Sequence, residues 1–185
     1  MTPPSEPFTM RERLHTRRIT VEGYRRTDGL WDIEGSLLDV KDHDLHLQSG
    51  PRQAGEPIHG MRLRLTLDDT LTIVAAEATM DASPYPGVCD AINPHYQKLV
   101  GLKIGAGFRR SVGERIGGVK GCSHLTELVS VMAAGAIQTL GRYLNRKLDA
   151  RPVQLDGCHA WAYDSPLVKE FYPQWYASKT RADPG

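Results

Sequence analysis

The stretch 61–67, MRLRLTL, constrains this chain more than any other: Met61, Leu63, Leu65 and Leu67 take every second place, with Arg62, Arg64 and Thr66 between them. Successive side chains of a strand point to opposite faces, so this period suits a strand with one packed apolar face and its arginines in solvent. After Asp68-Asp69 the segment TLTIVAAEATM offers a partner for a hairpin. A second hairpin is predicted upstream in RITVEGYRRTDGLWDIEGSLLDV, about Thr27-Asp28-Gly29, because Asp-Gly readily supplies the positive φ of a tight turn. Two hairpins imply an antiparallel sheet of about four strands. Between them, 41–57 is polar and contains Gly and Pro, which predicts a mobile surface loop able to cover a site.

After Asp81 the pattern changes. Pro84, Pro86 and Gly87 force an irregular bend that ends at Cys89. A short helix through Tyr96, Leu99 and Val100, capped by Asp90 or Asn93, and a weak helix over Phe108–Ile116 are expected next. The longest helix is predicted from Ser123 to about Lys147, with Ser123 as cap and Glu127 in the first turn. From Leu125 to Leu140 it is apolar or small on nearly every side, which predicts burial on several faces. The expected fold is therefore α+β: the sheet packed against a long buried helix and shorter ones. We expect a disordered tail over 1–13, one domain over 14–177 with an aromatic arm over 153–177, and a disordered tail over 178–185.

Composition narrows the function. With 185 residues, 23 Lys+Arg and 22 Asp+Glu, the chain has the size of one domain and a formal net charge of +1. Such a balance gives no overall field for nucleic acid or an anionic membrane, so a small-molecule substrate is the expected partner, with a homodimer compatible. No apolar run reaches the roughly 18 residues of a membrane span, and an odd cysteine count, Cys89, Cys122 and Cys158, suits a reducing cytoplasm. The fingerprints of ATP-binding loops, dinucleotide folds, serine-hydrolase elbows and zinc-protease helices are absent, so no organic cofactor is expected.

The densest chemistry lies in GGVKGCSHL, 117–125. Its glycines allow close backbone approach, and Cys122 and His124 stand at a helix start whose free N–H groups favour an anion or thiolate. Cys122 can equally be a small buried residue. His59, at the start of the alternating strand, and His124 are the candidate bases, Tyr85 a donor to a developing oxyanion, and Cys122 a wall or nucleophile. Asp81, Cys89, Gly121 and Ser123 would line the substrate cleft between the 81–89 bend and the 117–124 turn. Zinc or iron is the alternative, held by Cys89, Cys122 and His124 with Asp81 or His59. Arg109 and Arg110 can bind an anion but more often form a solvated face. His15, His43, His46 and His95 are assigned no role, and Cys158 is expected to pack within the aromatic arm.

The blocks GYRRTDGLWDIEGSLLDVK, GEPIHGMRLRLTLD, ATMDASPYPGVCDAINPHYQKLVGL and GGVKGCSHLTELVSVMAAGAIQT, in this order, resemble the bacterial DUF2889 family over roughly Leu14 to Tyr176. That resemblance implies a catabolic enzyme of small, aromatic or phenolic compounds, and the acid–base residues above suggest a lyase or isomerase. At the level of fold the chain is also similar to iron–sulfur scaffold proteins of the NifU and SufE type, where Cys89, Cys122 and His124 would match the cluster site in kind. It departs from them where Cys89-Asp90-Ala91 replaces Cys-Gly-Asp, where Cys122-Ser123-His124 replaces His-Cys, and in offering no clear counterpart to the third scaffold cysteine. A non-catalytic partner subunit, held through Trp161 and Trp175, is the remaining alternative.

Overall fold

The computed structural model describes residues 9–144, 151–152 and 154–177. Its contacts divide the chain into two compact units, Met1–Ile137 and Gln138–Gly185. Much of the predicted N-terminal tail and all of 178–185 lie outside the described residues.

In the first unit β1 (His15–Arg25) and β2 (Trp31–Lys41) form the first hairpin, and β5 (Pro57–Leu67) and β6 (Ile73–Ala82) the second. They make one four-stranded antiparallel sheet in the order β1-β2-β5-β6, as the alternation predicts. Gly29 takes φ 88° in the first turn, where the Asp28 carboxylate accepts from the Leu30 amide. In the second turn the Asp68 carboxylate accepts from the Thr70 and Thr72 amides, which ties the chain back on itself.

The segment 41–57 differs from its expectation. It carries β3 (Leu45–Leu47) and β4 (Gly50–Arg52), a separate two-stranded hairpin. Its base is fastened by the Gly55 amide on the Lys41 carbonyl and the Ala54 amide on the Asp44 carboxylate. Backbone pairing absorbs groups that an open loop would leave to water.

One face of the main sheet holds the core. Trp31, Ile33 and Leu37 of β2 and Met61, Leu63, Leu65 and Leu67 of β5 are buried there. Helix α1 (Phe108–Ile116) adds Phe108, Val112 and Ile116 at intervals of one helical turn. Helix α2, Ser123–Leu144 in the described chain, adds Leu125, Leu128, Val129, Met132 and Ala136. The predicted extension to Lys147 lies outside the described residues. Helix and sheet meet closely because each presents a glycine. A Cβ on Gly35 would stand 2.6 Å from the Met132 Sδ, and one on Gly135 2.5 Å from the Val21 Cγ1. Before α1, a 3-10 helical segment spans Asp90–Leu99 with Tyr96 and Leu99 buried. Neither expected cap serves it; the Asp90 carboxylate accepts from the Gly87 amide instead.

In the second unit the aromatic segment folds on itself. Helix α3 (Pro166–Phe171) is capped by the Ser165 hydroxyl, which accepts from the Val168 amide. Arg151 donates to the Tyr163 hydroxyl at 2.7 Å and to the Leu155 carbonyl at 2.6 Å, and the rings of Trp161 and Tyr172 meet at 5.8 Å. Cys158 is exposed rather than packed. Among the described residues no helix is long and apolar enough to cross a membrane.

Candidate functional site

The strands assemble the site. On β2 the buried positions are Trp31, Ile33, Gly35, Leu37 and Asp39, so a carboxylate occupies the last inward place of an otherwise apolar row. Directly opposite Asp39 stand Arg17 on β1 and His59 on β5. The three therefore form one cross-strand row at the end of the core face. The Asp39 side chain is only 3% exposed.

Burying a carboxylate is costly unless it is paired and hydrogen-bonded. Here every lone pair is engaged. Oδ1 accepts from Arg17 Nε at 2.8 Å and lies 3.2 Å from His15 Nε2; Oδ2 accepts from Arg17 Nη2 at 2.8 Å and lies 2.9 Å from His59 Nδ1. Arg17 reaches further and donates through Nη1 to Glu127 of α2 at 2.6 Å. Glu127 thus sits beyond the first helical turn, and its partner is Arg17 rather than the helix dipole alone.

The start of α2 closes over this row. Tyr96, fully buried, donates from its hydroxyl to the Cys122 carbonyl at 3.0 Å and accepts from the Cys122 amide at 3.1 Å. A Cβ on Gly121 would run into the Ile116 carbonyl oxygen, and one on Gly117 into that of Gly113. These glycines admit the end of α1, not a ligand. Ser123 is already inside the helix, and the Cys122 carbonyl takes the bond from the Thr126 amide. Cys122 thus holds the cap position expected of Ser123. The imidazole of His124 then lies against that of His59, ring centres 3.9 Å apart and planes tilted by 33°. Its Nδ1 is 3.8 Å from the Cys122 Sγ and its Nε2 3.9 Å from Asp39 Oδ2.

The charges follow from these contacts. Burial pushes the Asp39 carboxyl up, but the Arg17 guanidinium and the His59 N–H outweigh it and hold the group at about 2 instead of 3.8. His59 is pushed below its usual 6.5 by burial, which its hydrogen bond to Asp39 opposes and the charges of Arg17 and His15 reinforce. His124 is likewise pushed down, first by burial and then by His59 and Arg17. Both imidazoles are neutral at neutral pH. An ionised Asp39 only accepts, so the proton of neutral His59 resides on Nδ1 and Nε2 carries the lone pair. That nitrogen has no hydrogen-bond partner among the described residues.

Asp39, His59 and His124 each place one donor atom within 4.8 Å of the other two. A carboxylate offers about four lone-pair sites, and those of Asp39 are taken, with a guanidinium alongside. Asp39 is better placed to orient His59 than to ligate a metal. Cys89, Cys122 and His124 do not form such a donor group among the described residues.

Of the residues expected from sequence, the structure brings together His59, His124 and Cys122. Gly121 and Ser123 shape the helix start. Asp81 pairs with Arg62 at 3.1 Å, and both line a broad concavity on the outer face, away from the packed one. A register shift at Gly60/Met61 accompanies that outward turn. Tyr85 is exposed on the bend, and the Cys89 amide serves that bend by donating to the Tyr85 carbonyl. Among the described residues the side chains of Asp81, Tyr85 and Cys89 make no hydrogen bond or ion pair to the histidine cluster. Sequence reasoning missed Arg17, Asp39, Tyr96 and His15. Asp39 alone carried a readable signal, its place in the alternation of β2.

No curated protein and no solved structure matches the chain, so the likeness to NifU and SufE scaffolds gains no support. The family match ends at residue 138, short of the expected Tyr176, and leaves the aromatic arm outside. The model of the family described as "Protein of unknown function (DUF2889)" matches residues 15–138, more than half of the chain and every residue of the cluster, and the protein belongs to that family.

Proposed function

We propose that the protein is an enzyme that moves a proton at His59 Nε2, without an organic cofactor, on a small aromatic or phenolic substrate in a reaction of the lyase or isomerase type. The observation that carries this reading is the saturated carboxylate of Asp39. It fixes the tautomer of His59, holds the ring still and leaves one basic nitrogen unpaired. The lowered pKa keeps that nitrogen free at neutral pH.

His124 gives the pair a second property. With ring centres 3.9 Å apart, a positive charge on one imidazole opposes a positive charge on the other, so the pair takes up at most one additional proton at a time. One ring can take a proton from the substrate while the other remains a neutral donor or acceptor. Asp39 stabilises the imidazolium once it forms, and the charge of Arg17 opposes it. A panel of aromatic and phenolic acids, aldehydes and alcohols, incubated with the wild type, His59→Ala and His124→Ala, tests the reading. Turnover by the wild type that His59→Ala reduces at least about a hundredfold is expected, in line with general base catalysis. Undiminished turnover in both variants removes the pair from the mechanism.

A second reading rests on the convergence of donors within 4.8 Å: the same imidazoles hold a zinc or iron ion. The engaged lone pairs of Asp39 weigh against it. Elemental analysis of untagged protein separates the two, since stoichiometric metal supports the second and metal-free turnover excludes it.

A further inference from the structure

We propose that Cys122 is a nucleophile, deprotonated by His124, and that the site forms a covalent bond to the β-carbon of conjugated unsaturated carbonyl compounds. The inference rests on the reading of the cluster as an acid–base site and adds to it a bond-making residue and a substrate class.

Cys122 is singled out by its surroundings. Its sulfur lies 3.8 Å from His124 Nδ1, and the other nitrogen of that ring faces the Asp39 carboxylate at 3.9 Å. Nucleophile, base and carboxylate are thus set in sequence, with the anion positioned to favour the imidazolium that forms. The thiolate would stand at the cap of a 22-residue helix, where the N-terminal end of the dipole stabilises negative charge. The charged groups facing the pair are Asp39 and Arg17 from the sheet, His59 beside the ring, and Glu127 on α2 paired to Arg17. Tyr96 pins the backbone of Cys122 on both its N–H and its carbonyl, so the sulfur is presented from a fixed point.

The same clamp selects the chemistry. Acyl transfer needs donors for a tetrahedral oxyanion, and the amide of the nucleophile itself usually supplies one. The Cys122 amide is committed to the Tyr96 hydroxyl. Conjugate addition makes a smaller demand. The thiol proton passes to His124 Nδ1, the sulfur bonds to the β-carbon as the C=C π bond opens, and the imidazolium returns the proton to the α-carbon of the enolate. Thiol and alkene become a thioether, with no oxidant or further reactant. Reversal releases the alkene.

N-ethylmaleimide, itself a conjugated unsaturated carbonyl, is the probe. Its rate of addition is followed by mass spectrometry in Cys89→Ser/Cys158→Ser, which retains Cys122, and in Cys89→Ser/Cys122→Ser, which retains the exposed Cys158. Cys122 is expected to react at least about tenfold faster than Cys158 at neutral pH. His124→Gln, added to the first variant, should remove that advantage. A Cys122 rate no greater than that of Cys158 overturns the proposal even if the histidine variant does not fold. The proton-transfer reading is tested separately by turnover, so inert Cys122 beside His59-dependent turnover defeats this inference alone.

Discussion

Replacing Asp39 by Asn is the most informative single perturbation of this protein. The side chain keeps its shape and loses its charge, and one acceptor oxygen becomes an N–H₂ donor facing donors from Arg17, His15 or His59. Two routes give the cost. The carboxyl is held at about 2 rather than 3.8, and at about 1.4 kcal/mol per unit this favours the ionised form in the folded protein by about 2–3 kcal/mol. Removing one partner of a buried ion pair typically costs about 3–5 kcal/mol because the other charge is left behind. Arg17 is partly exposed and keeps Glu127, so the lower part of that range applies. The expected loss is therefore about 2–3 kcal/mol.

The pH dependence adds a signature. An acid whose pKa is depressed on folding contributes stability above its unfolded pKa, and this is lost as pH falls through the folded value. The wild-type advantage over Asp39→Asn should thus be full at neutral pH and fade between about 4 and about 2. Urea unfolding read from the amide signals of β2 and β5 reports on the unit that holds the site. A variant within about 0.5 kcal/mol of wild type at neutral pH, the range of ordinary surface substitutions, would mean that the buried pairs of Asp39 do not hold the fold together.

Two further substitutions probe the helix start. Tyr96→Phe removes the hydroxyl that pairs both polar groups of Cys122 and should cost about 1–3 kcal/mol in urea unfolding, with the largest amide shift changes at Cys122 and Thr126. A change below that range would mean the clamp is not made in solution. Gly121→Ala drives a Cβ into the Ile116 carbonyl, so the backbone must move, at a cost of about 3 kcal/mol. That movement should also separate the two imidazole rings, seen as loss of cross-relaxation between His59 and His124; an unchanged signal would show that the junction has room.

Much of the sheet was legible because its strands are long. In β5 the period of two spans four buried positions, and Asp-Gly and Asp-Asp mark the turns. The strands β3 and β4 have three residues each, too few to show any period. For the site, His59 and His124 stood out by residue type and position, whereas Asp39 needed the alternation of β2 to be followed to its end. Arg17 was harder to see, since β1 is mostly exposed and Ile19 and Val21 alone hint at which of its faces is inward. Tyr96 could not be read at all: its partner is backbone 26 residues away, brought close by folding. In the bend 83–89 the prolines fix a turn, but sequence alone does not give the direction of the side chains around it.

A saturated carboxylate locks His59 as a neutral ring with its free nitrogen at Nε2. Long-range proton–nitrogen correlation spectra of the histidine rings, recorded across a pH titration, measure this directly. For His59 a protonated Nδ1 and an unprotonated Nε2 are expected at neutral pH, with a midpoint below 6.5. A His59 that is doubly protonated at neutral pH, or that carries its proton on Nε2, would contradict it.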